Sequence, residues 1–525
     1  MGRQHVSLRR HAGAGHLGAI GCLPLFLFLS LSVASAEPVT LVRNNGDPAN
    51  RVDIVILGDG YTASELGKYA TDVETFLNGL FAQEPWKEYQ RYFNVHRVDV
   101  ASAESGADHP ERTPPVFKDT AFDATYDCAG IQRLICVDMS KVNTVLAASV
   151  PPDSRDVVLV IINDSEYGGS GGSIAVASVH PDVVELILHE LGHSFGLLTD
   201  EYGGPPPPSC NAAFEPPEPN ATMETQRERI KWAVWIEPDT PIPTLGPTVA
   251  EPGLYEGAKY CDTGLFRSTY NSKMRSLFQA YEQINSEQLV KRVYNFMTPL
   301  DRAQPTEPTI ALGDGQSQTF RVETLEPLTH ALEIVWRIDG QSVATGNELT
   351  LRAADLSPGS HRLEVTVSDP TAFVRNDPAQ VLADTHGWDV SVVVSVRLPD
   401  LVETAVSNPP ATAVAGREFG LTDTVRNVGT ALAGASRTNY YLSADASRDS
   451  ADRQLIGSRH VPELAPGQES TGTKIVRIPH NVSPGTYFVL ACADSKNVVA
   501  ERDETNNCSA STTQVRVERK SKDSR

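Results

Sequence analysis

Residues 189–202 read His189-Glu190-Leu191-Gly192-His193-Ser194-Phe195-Gly196-Leu197-Leu198-Thr199-Asp200-Glu201-Tyr202, and the fold of the N-terminal half is read outward from them. Two histidines four residues apart on a helix share one face, so both imidazoles reach a single metal ion. The glutamate beside the first histidine then lies next to the ion's open position. This is the triplet of a zinc hydrolase in which a carboxylate takes a proton from an activated water. Pro181 and Asp182 mark the helix start. Taken at about 100° per residue, Val184, Ile187, Leu188, Leu191 and Phe195 make one apolar stripe, and His189, Glu190 and His193 fall opposite it. The plainer alternative is a solvated face that carries two histidines by chance.

A catalytic zinc site needs a third protein ligand. On a helix that simply continued, Asp200 would lie about 10 Å beyond His193, so the chain has to turn. Gly196 is expected to take the left-handed conformation that ends the helix and swings Thr199, Asp200 and Glu201 back. Asp200 is the favoured third ligand, Glu201 the next, and a distant residue the remaining choice. As an alternative, both carboxylates only orient the histidines. A ligand on a later helix, such as Glu287, is disfavoured because Gly196 interrupts the helix early. Upstream, Tyr167-Gly168-Gly169-Ser170-Gly171-Gly172 makes a flexible rim before a short strand over 173–178. That strand is placed to pair with an extended peptide. The glycine-rich segment lacks the ending of a phosphate loop and precedes a strand.

Around this core, Val52 to Leu57 reads as a strand ending in Gly58-Asp59-Gly60. Thr62 and Glu65 then open a helix carrying Leu66, Tyr69, Val73, Leu77 and Leu80. Phe93 to Val100 is strand-like, and Val157 to Ile162 is apolar throughout, as a strand buried on both faces requires. Beyond about Gln304 the helical period gives way to short alternating runs between Gly and Pro turns, the signature of β-sandwiches.

The chain has 525 residues, enough for two to four domains. A formal charge of -21 sets its field against phosphate backbones and anionic lipid, which excludes nucleic acid as a partner. Residues 1–36 combine Arg3, Arg9 and Arg10 with an apolar run from Ala19 to Val33 and then Ala34-Ser35-Ala36, an export signal cleaved near Ala36. The run is shorter than the ~20 residues that span a bilayer, so no membrane anchor is expected. Six cysteines remain after cleavage, which suits disulfides in an oxidising compartment, and sequence order suggests pairing between neighbours. Asp445, Asp449 and Asp452 fit no compact cation loop and are read as a solvated acidic loop; structural Ca²⁺ has no support in the sequence.

Beyond the triplet, the glycine three residues after the second histidine, and Met274 in Asn271-Ser272-Lys273-Met274-Arg275, resemble a metzincin. Thr199 stands where the usual metzincin has its third histidine, and Asp200 comes next. With Leu57-Gly58-Asp59-Gly60-Tyr61-Thr62, the glycine-rich rim, Asp200-Glu201-Tyr202 and Tyr270 to Arg275, residues 40 to 300 resemble the bacterial immunoglobulin A metallopeptidase family. The resemblance implies that His189, His193 and Asp200 are zinc ligands, that Glu190 is the general base and that Met274 is the Met-turn residue. It does not imply immunoglobulin as the substrate. Residues 398 to 517 resemble a CARDB module, carried by Val425 to Gly429, Thr438 to Ser443 and Glu501 to Asn507. There Cys492 and Cys508 lie on adjacent strands in a position to bridge.

The fold expected is an α/β metzincin-like zinc peptidase domain, a mixed sheet plus the active-site helix, followed by two all-β Ig-like sandwiches. Its divisions are an export signal over 1–36, a catalytic domain over 37–303, a β-sandwich over 304–397, a CARDB-like domain over 398–517 and a charged tail over 518–525. The function expected is a secreted zinc endopeptidase with one catalytic Zn²⁺, a protein or peptide substrate, and a cell-surface or matrix ligand for the β modules. Its rivals are an adhesion protein that retains the motif without turnover and a zinc hydrolase of non-protein amides. Tyr255, Tyr260 and Tyr270 are unranked candidates for stabilising an oxyanion.

Overall fold

The structure, a computed structural model, describes residues 36–204, 210–247 and 251–519. The export signal, apart from Ala36, and the run Pro205 to Pro208 lie outside the described residues, as does most of the charged tail.

A six-stranded sheet organises the α/β region. Its strands are β1 (Val39–Arg43), β2 (Val52–Asp59), β3 (Phe93–Val98), β4 (Val157–Ile162), β5 (Gly169–Ser170) and β6 (Ala175–Ser178), in the order β1-β3-β2-β4-β6-β5. β2 runs parallel to β3 and β4, and β4 parallel to β6; β1 and β5 close the two edges antiparallel. Alternation sends successive residues of β2 to opposite faces. Ile54 and Ile56 join the apolar cluster of helices α1 (Leu66–Leu80), α3 (Val183–Ser194) and α4 (Glu282–Phe296), whereas Val55 and Leu57 join that of α2 (Met139–Ser149). Both faces are covered, which is why β4 reads as an unbroken apolar run.

Packing resolves the chain into two compact units, the first running through Ile310 and adding Gln318–Leu351 and His361–Val390. Much of the block read from sequence as a separate sandwich therefore lies with the α/β region. Strand Glu333–Ile338 pairs antiparallel with the strand Gly359–Ser368. Trp336, Trp388 and Phe320 are buried together there, with the Phe320 and Trp336 ring centroids 5.0 Å and 5.9 Å from that of Trp388. The loops of this block are shared with the α/β core. Phe373, Val374, Val381 and Leu382 pack into the cluster around α4. The buried Asp369 accepts from Tyr89 at 2.8 Å and Tyr294 at 2.7 Å, and the Arg375 guanidinium stacks 4.3 Å over Trp235.

In the second unit the order of the main strands is Leu401–Val406, Glu418–Asn427, Glu469–Arg477, Arg453–Val461, Ser436–Ser443, Gly485–Cys492, Val515–Glu518 and Thr412–Val414. Cys492 and Cys508 bridge, as do Cys128 with Cys136 and Cys210 with Cys261, so sequence neighbours pair. Asp423 is fully buried and receives Arg459 and the Tyr440 hydroxyl. Glu403, beside it, accepts from Thr438 at 2.9 Å.

Two outcomes are expected. Cutting the chain at residue 303 exposes the apolar surface of α4 and removes the acceptor of two buried tyrosines. The truncated protein should melt well below the full chain or aggregate, as differential scanning calorimetry would register. In the second unit, burial pushes the Glu403 carboxyl up to about 8; the Asp423 charge adds to this, while Thr438 and Arg459 oppose it. A folded value above the ordinary 4.5 means a stabilising contribution that is complete below pH 4.5 and lost as pH rises through about 8. Glu403→Gln should flatten that dependence and stabilise the unit at pH 9, measured by denaturant unfolding.

Candidate functional site

Leu186, Ile187, Leu188, Leu191 and Phe195 bury the apolar side of α3, and Phe195 stacks against Phe296 with centroids 5.7 Å apart. On the other side His189 and His193 remain partly accessible. The helix stops where the sequence requires it to, but by a different residue. Leu197 takes the left-handed conformation at φ 56°, whereas Gly196 does not. The Leu197 N–H bonds to the His193 carbonyl at 3.1 Å, closing the helix end. Gly196 is needed for space instead: a Cβ there would lie 2.6 Å from the Gly192 carbonyl oxygen. A leucine at positive φ costs about 1–2 kcal/mol, and the anchoring of Thr199 just beyond it holds it in place. The Thr199 N–H and C=O are both bonded to the Asn220 side chain, at 3.0 Å and 2.8 Å.

This turn brings Asp200 to the imidazoles. His189 Nδ1 faces the Lys273 carbonyl at 2.9 Å and His193 Nδ1 the Leu198 carbonyl at 2.8 Å, so both Nε2 atoms are aimed at a common point. The two Nε2 atoms are 3.2 Å apart, and Asp200 Oδ1 lies 3.2 Å from that of His189 and 3.4 Å from that of His193. Ligands about 2.0 Å from a tetrahedral ion stand roughly 3.3 Å apart. The two carboxylate oxygens have different environments. Oδ2 accepts from the Tyr260 hydroxyl, whereas Oδ1 is buried with no hydrogen-bond partner. These three residues form a candidate metal-binding group whose donor atoms fit one divalent cation.

The Asp200 carboxylate and the imidazoles also act strongly on one another. Burial works against the Asp200 carboxylate, but the two imidazoles facing it, the His193 charge and Tyr260 hold it far below the usual range. Burial also works against a charged His193, yet Asp200 and the Leu198 carbonyl raise it to about 9. Burial raises Tyr260 to about 12, with Asp200 adding to the effect, so it remains a hydroxyl donor at neutral pH. Glu190 is raised by burial, against the pull of His189 and His193 and with a further push from Asp200.

The neighbouring Glu201 is directed elsewhere. It is fully buried and accepts from Asn220 at 3.0 Å, Asn285 at 2.9 Å and Ser272 at 2.6 Å, while its N–H bonds to the Met274 carbonyl at 2.8 Å. Met274 is fully buried beneath α3; a Cβ on Gly192 would lie 2.3 Å from its sulfur. Lys273, also buried, pairs with Glu185 of α3 at 2.5 Å, which fixes the segment whose carbonyl orients His189. Glu287 is engaged by Trp235, Lys291 and the Arg375 N–H. Of the three candidate tyrosines, Tyr260 reaches the histidine–aspartate group, whereas Tyr255 bonds to the Glu251 carbonyl.

A cleft of about 610 Å³ lies over this group, lined among others by Arg133, Tyr167, Glu190, Tyr202, Tyr260 and Arg275. Gly171 approaches so closely that a Cβ would stand 2.2 Å from Glu190 Oε2. The edge of β6 read as free is covered: Ala177 and Val176 pair with Gly169 and Ser170 of β5. Glycine flexibility allows the rim to fold back and become the edge strand itself. A second group, His109 with Glu111 and Glu166, escaped the sequence reading. Its imidazole sits between Glu111 and Asp164, each at 2.9 Å, and Arg112 and Gln132 hold Glu166. Hydrogen bonds account for this arrangement, which braces the segment leading to the rim.

Residues 40–250 match the IgA Peptidase M64 family. The triplet, the turn and Asp200 all lie inside that match, so the resemblance seen in the sequence stands. Residues 398–511 match the CARDB family. No curated protein matches the chain. Among solved structures, the CARDB domain of a Pyrococcus furiosus protein, determined in complex with di-metal ions, is 22% identical over 23% of this chain and 96% of its own, with a TM-score of 0.17. Fibronectin(III)-like modules of Clostridium thermocellum CbhA are 12% identical over 42% of this chain and 94% of their own, with a TM-score of 0.14.

Replacing Glu201 by alanine would leave the donors of Asn220, Asn285 and Ser272 without a buried acceptor. A loss of about 2–3 kcal/mol is expected, read as a lower denaturation midpoint for the α/β region.

Proposed function

We propose that this protein is an exported zinc metalloendopeptidase with a metzincin-like catalytic region, its ion held by His189, His193 and Asp200. The observation that carries this reading is the convergence of two imidazole nitrogens and one carboxylate oxygen on a single point, that oxygen being buried without a hydrogen-bond donor. The M64 match supports a peptidase over a binding protein that lacks turnover and over a hydrolase of non-protein amides.

When bound, zinc supplies a Lewis acid that makes a water acidic at neutral pH and polarises a carbonyl. The remaining chemistry belongs to the chain. Glu190, on the next residue of the same helix face and pressed by Gly171, accepts the proton of the attacking water and returns it to the leaving amine. The Lys273 and Leu198 carbonyls hold both imidazoles with Nε2 toward the substrate side. Met274 under α3 and Glu201 behind Asp200 keep the two segments in register. The glycine rim and edge strand β5 offer backbone groups to an extended peptide lying in the cleft.

Export is supported by the sequence of residues 1–36 and by three disulfides in the described residues. No described helix is long and apolar enough to cross a membrane. CARDB-type modules are cell-surface modules, and the second unit is proposed to hold the enzyme at a surface or matrix ligand.

Glu190→Ala should lower peptide-bond hydrolysis by roughly 10²-fold or more while the protein keeps about one zinc per chain. Casein cleavage measured beside metal analysis on the same sample checks this. Wild-type turnover by the variant would remove Glu190 from the mechanism.

A further inference from the structure

Tyr260, with Tyr202 beside it, borders the histidine–aspartate group. It occupies the turn between β8 (Tyr255–Ala258) and β9 (Cys261–Arg267), which share a small sheet with β7 (Ala221–Thr222). Both turn residues, Lys259 at φ 48° and Tyr260 at φ 61°, adopt the left-handed conformation that such two-residue turns ordinarily reserve for asparagine and glycine. Bulky residues persist there only when their surroundings enforce it, and several contacts do. The Lys259 N–H bonds to the Asp200 carbonyl at 2.9 Å, and the Tyr260 N–H to the Tyr202 carbonyl at 3.0 Å. Lys259 Nζ pairs with Glu218 at 2.8 Å. Cys261 is tied to Cys210, and the Tyr260 ring packs edge-on against Tyr202 with centroids 5.4 Å apart. The strained turn is thus fastened, backbone to backbone, onto the residue whose carboxylate faces the imidazoles.

The Tyr260 hydroxyl donates to Asp200 Oδ2, and the other oxygen is the one directed at His189 and His193. We propose that Tyr260 is a positioning residue that occupies one oxygen of Asp200, so that the aspartate offers the metal a single donor atom. A carboxylate free at both oxygens can chelate an ion through both. Chelation would fill a coordination position that a hydrolase must leave open. The phenol prevents it by hydrogen bonding, and the locked turn prevents the phenol from leaving. This role differs from contact with a substrate oxyanion, for which Tyr260 also lies close enough to the cleft.

The inference rests on the metal site proposed above, and the experiment separates the two. Full-length wild-type protein and Tyr260→Phe are stripped with chelator and reloaded with Co²⁺. Metal content, visible absorption and kinetics are then read, with near-ultraviolet circular dichroism confirming that the variant is folded. Wild type should bind about one ion with the intense absorption of a four-coordinate site. The variant should keep the ion, while its absorptivity falls several-fold as the coordination number rises. With zinc, kcat should drop about 10- to 100-fold and KM change little. A folded variant with the wild-type spectrum overturns the proposal, whether kcat falls, as an oxyanion role would give, or holds. Loss of the ion from a folded variant also overturns it. Failure of wild type to bind any ion would instead sink the metal site.

Discussion

The α/β region depends on one reversal of the chain. Within seven residues of His193 the backbone has to leave a helix, turn, and present a carboxylate beside two imidazoles on that helix. Nothing local favours it: the turning residue is a leucine in a conformation that leucine avoids. The reversal persists because its far side is fastened at every step. Asn220 grips Thr199 by both backbone groups, Glu201 is set among three donors, and the carbonyl oxygens of Leu198 and Lys273 face the imidazoles. Consecutive residues 200 and 201 thereby divide their work, one facing the cleft and the other the core. A buried aspartate oxygen without a donor is otherwise a costly feature; a cation at that point would remove the cost.

Much of this is legible in the sequence because it obeys short-range periodicities. The apolar stripe of α3, the doubly buried β4 and the capping box of Thr62 and Glu65 on the short turn that leads into α1 are set by spacing alone. The pairing of Asp200 rather than Glu201 with the histidines can be favoured from sequence but not decided, since the donors that claim Glu201 come from residues 220, 272 and 285. Sequence reasoning puts the left-handed residue at Gly196 because glycine is the usual choice. The structure uses that glycine for a close approach to Gly192 and places the strain on Leu197. The free edge expected at β6 is covered because the glycine-rich rim folds back onto it, a pairing that composition does not encode. Tyr260 is one of three tyrosines that the sequence does not rank; its selection depends on a hairpin turn that docks against residues 200–202.

The β-rich region carries a related lesson. Alternating runs after residue 304 announce strands correctly, yet alternation says nothing of what a module packs against. Asp369, Phe373 and Arg375 belong to loops that would read as surface, and each is engaged by the α/β core. Part of the chain that resembles a detachable accessory is thus built into the unit that carries the cleft. The M64 match ends before it, at residue 250, and also before Met274 and α4, which complete the floor beneath α3.

Anomalous diffraction at the zinc edge from metal-replete crystals of the full chain tests the proposed centre most directly. A single strong peak about 2.0–2.2 Å from His189 Nε2, His193 Nε2 and one oxygen of Asp200 is the expected result. A peak bonded to Glu201 or Glu287 in place of Asp200, or none at the two imidazoles, would contradict it.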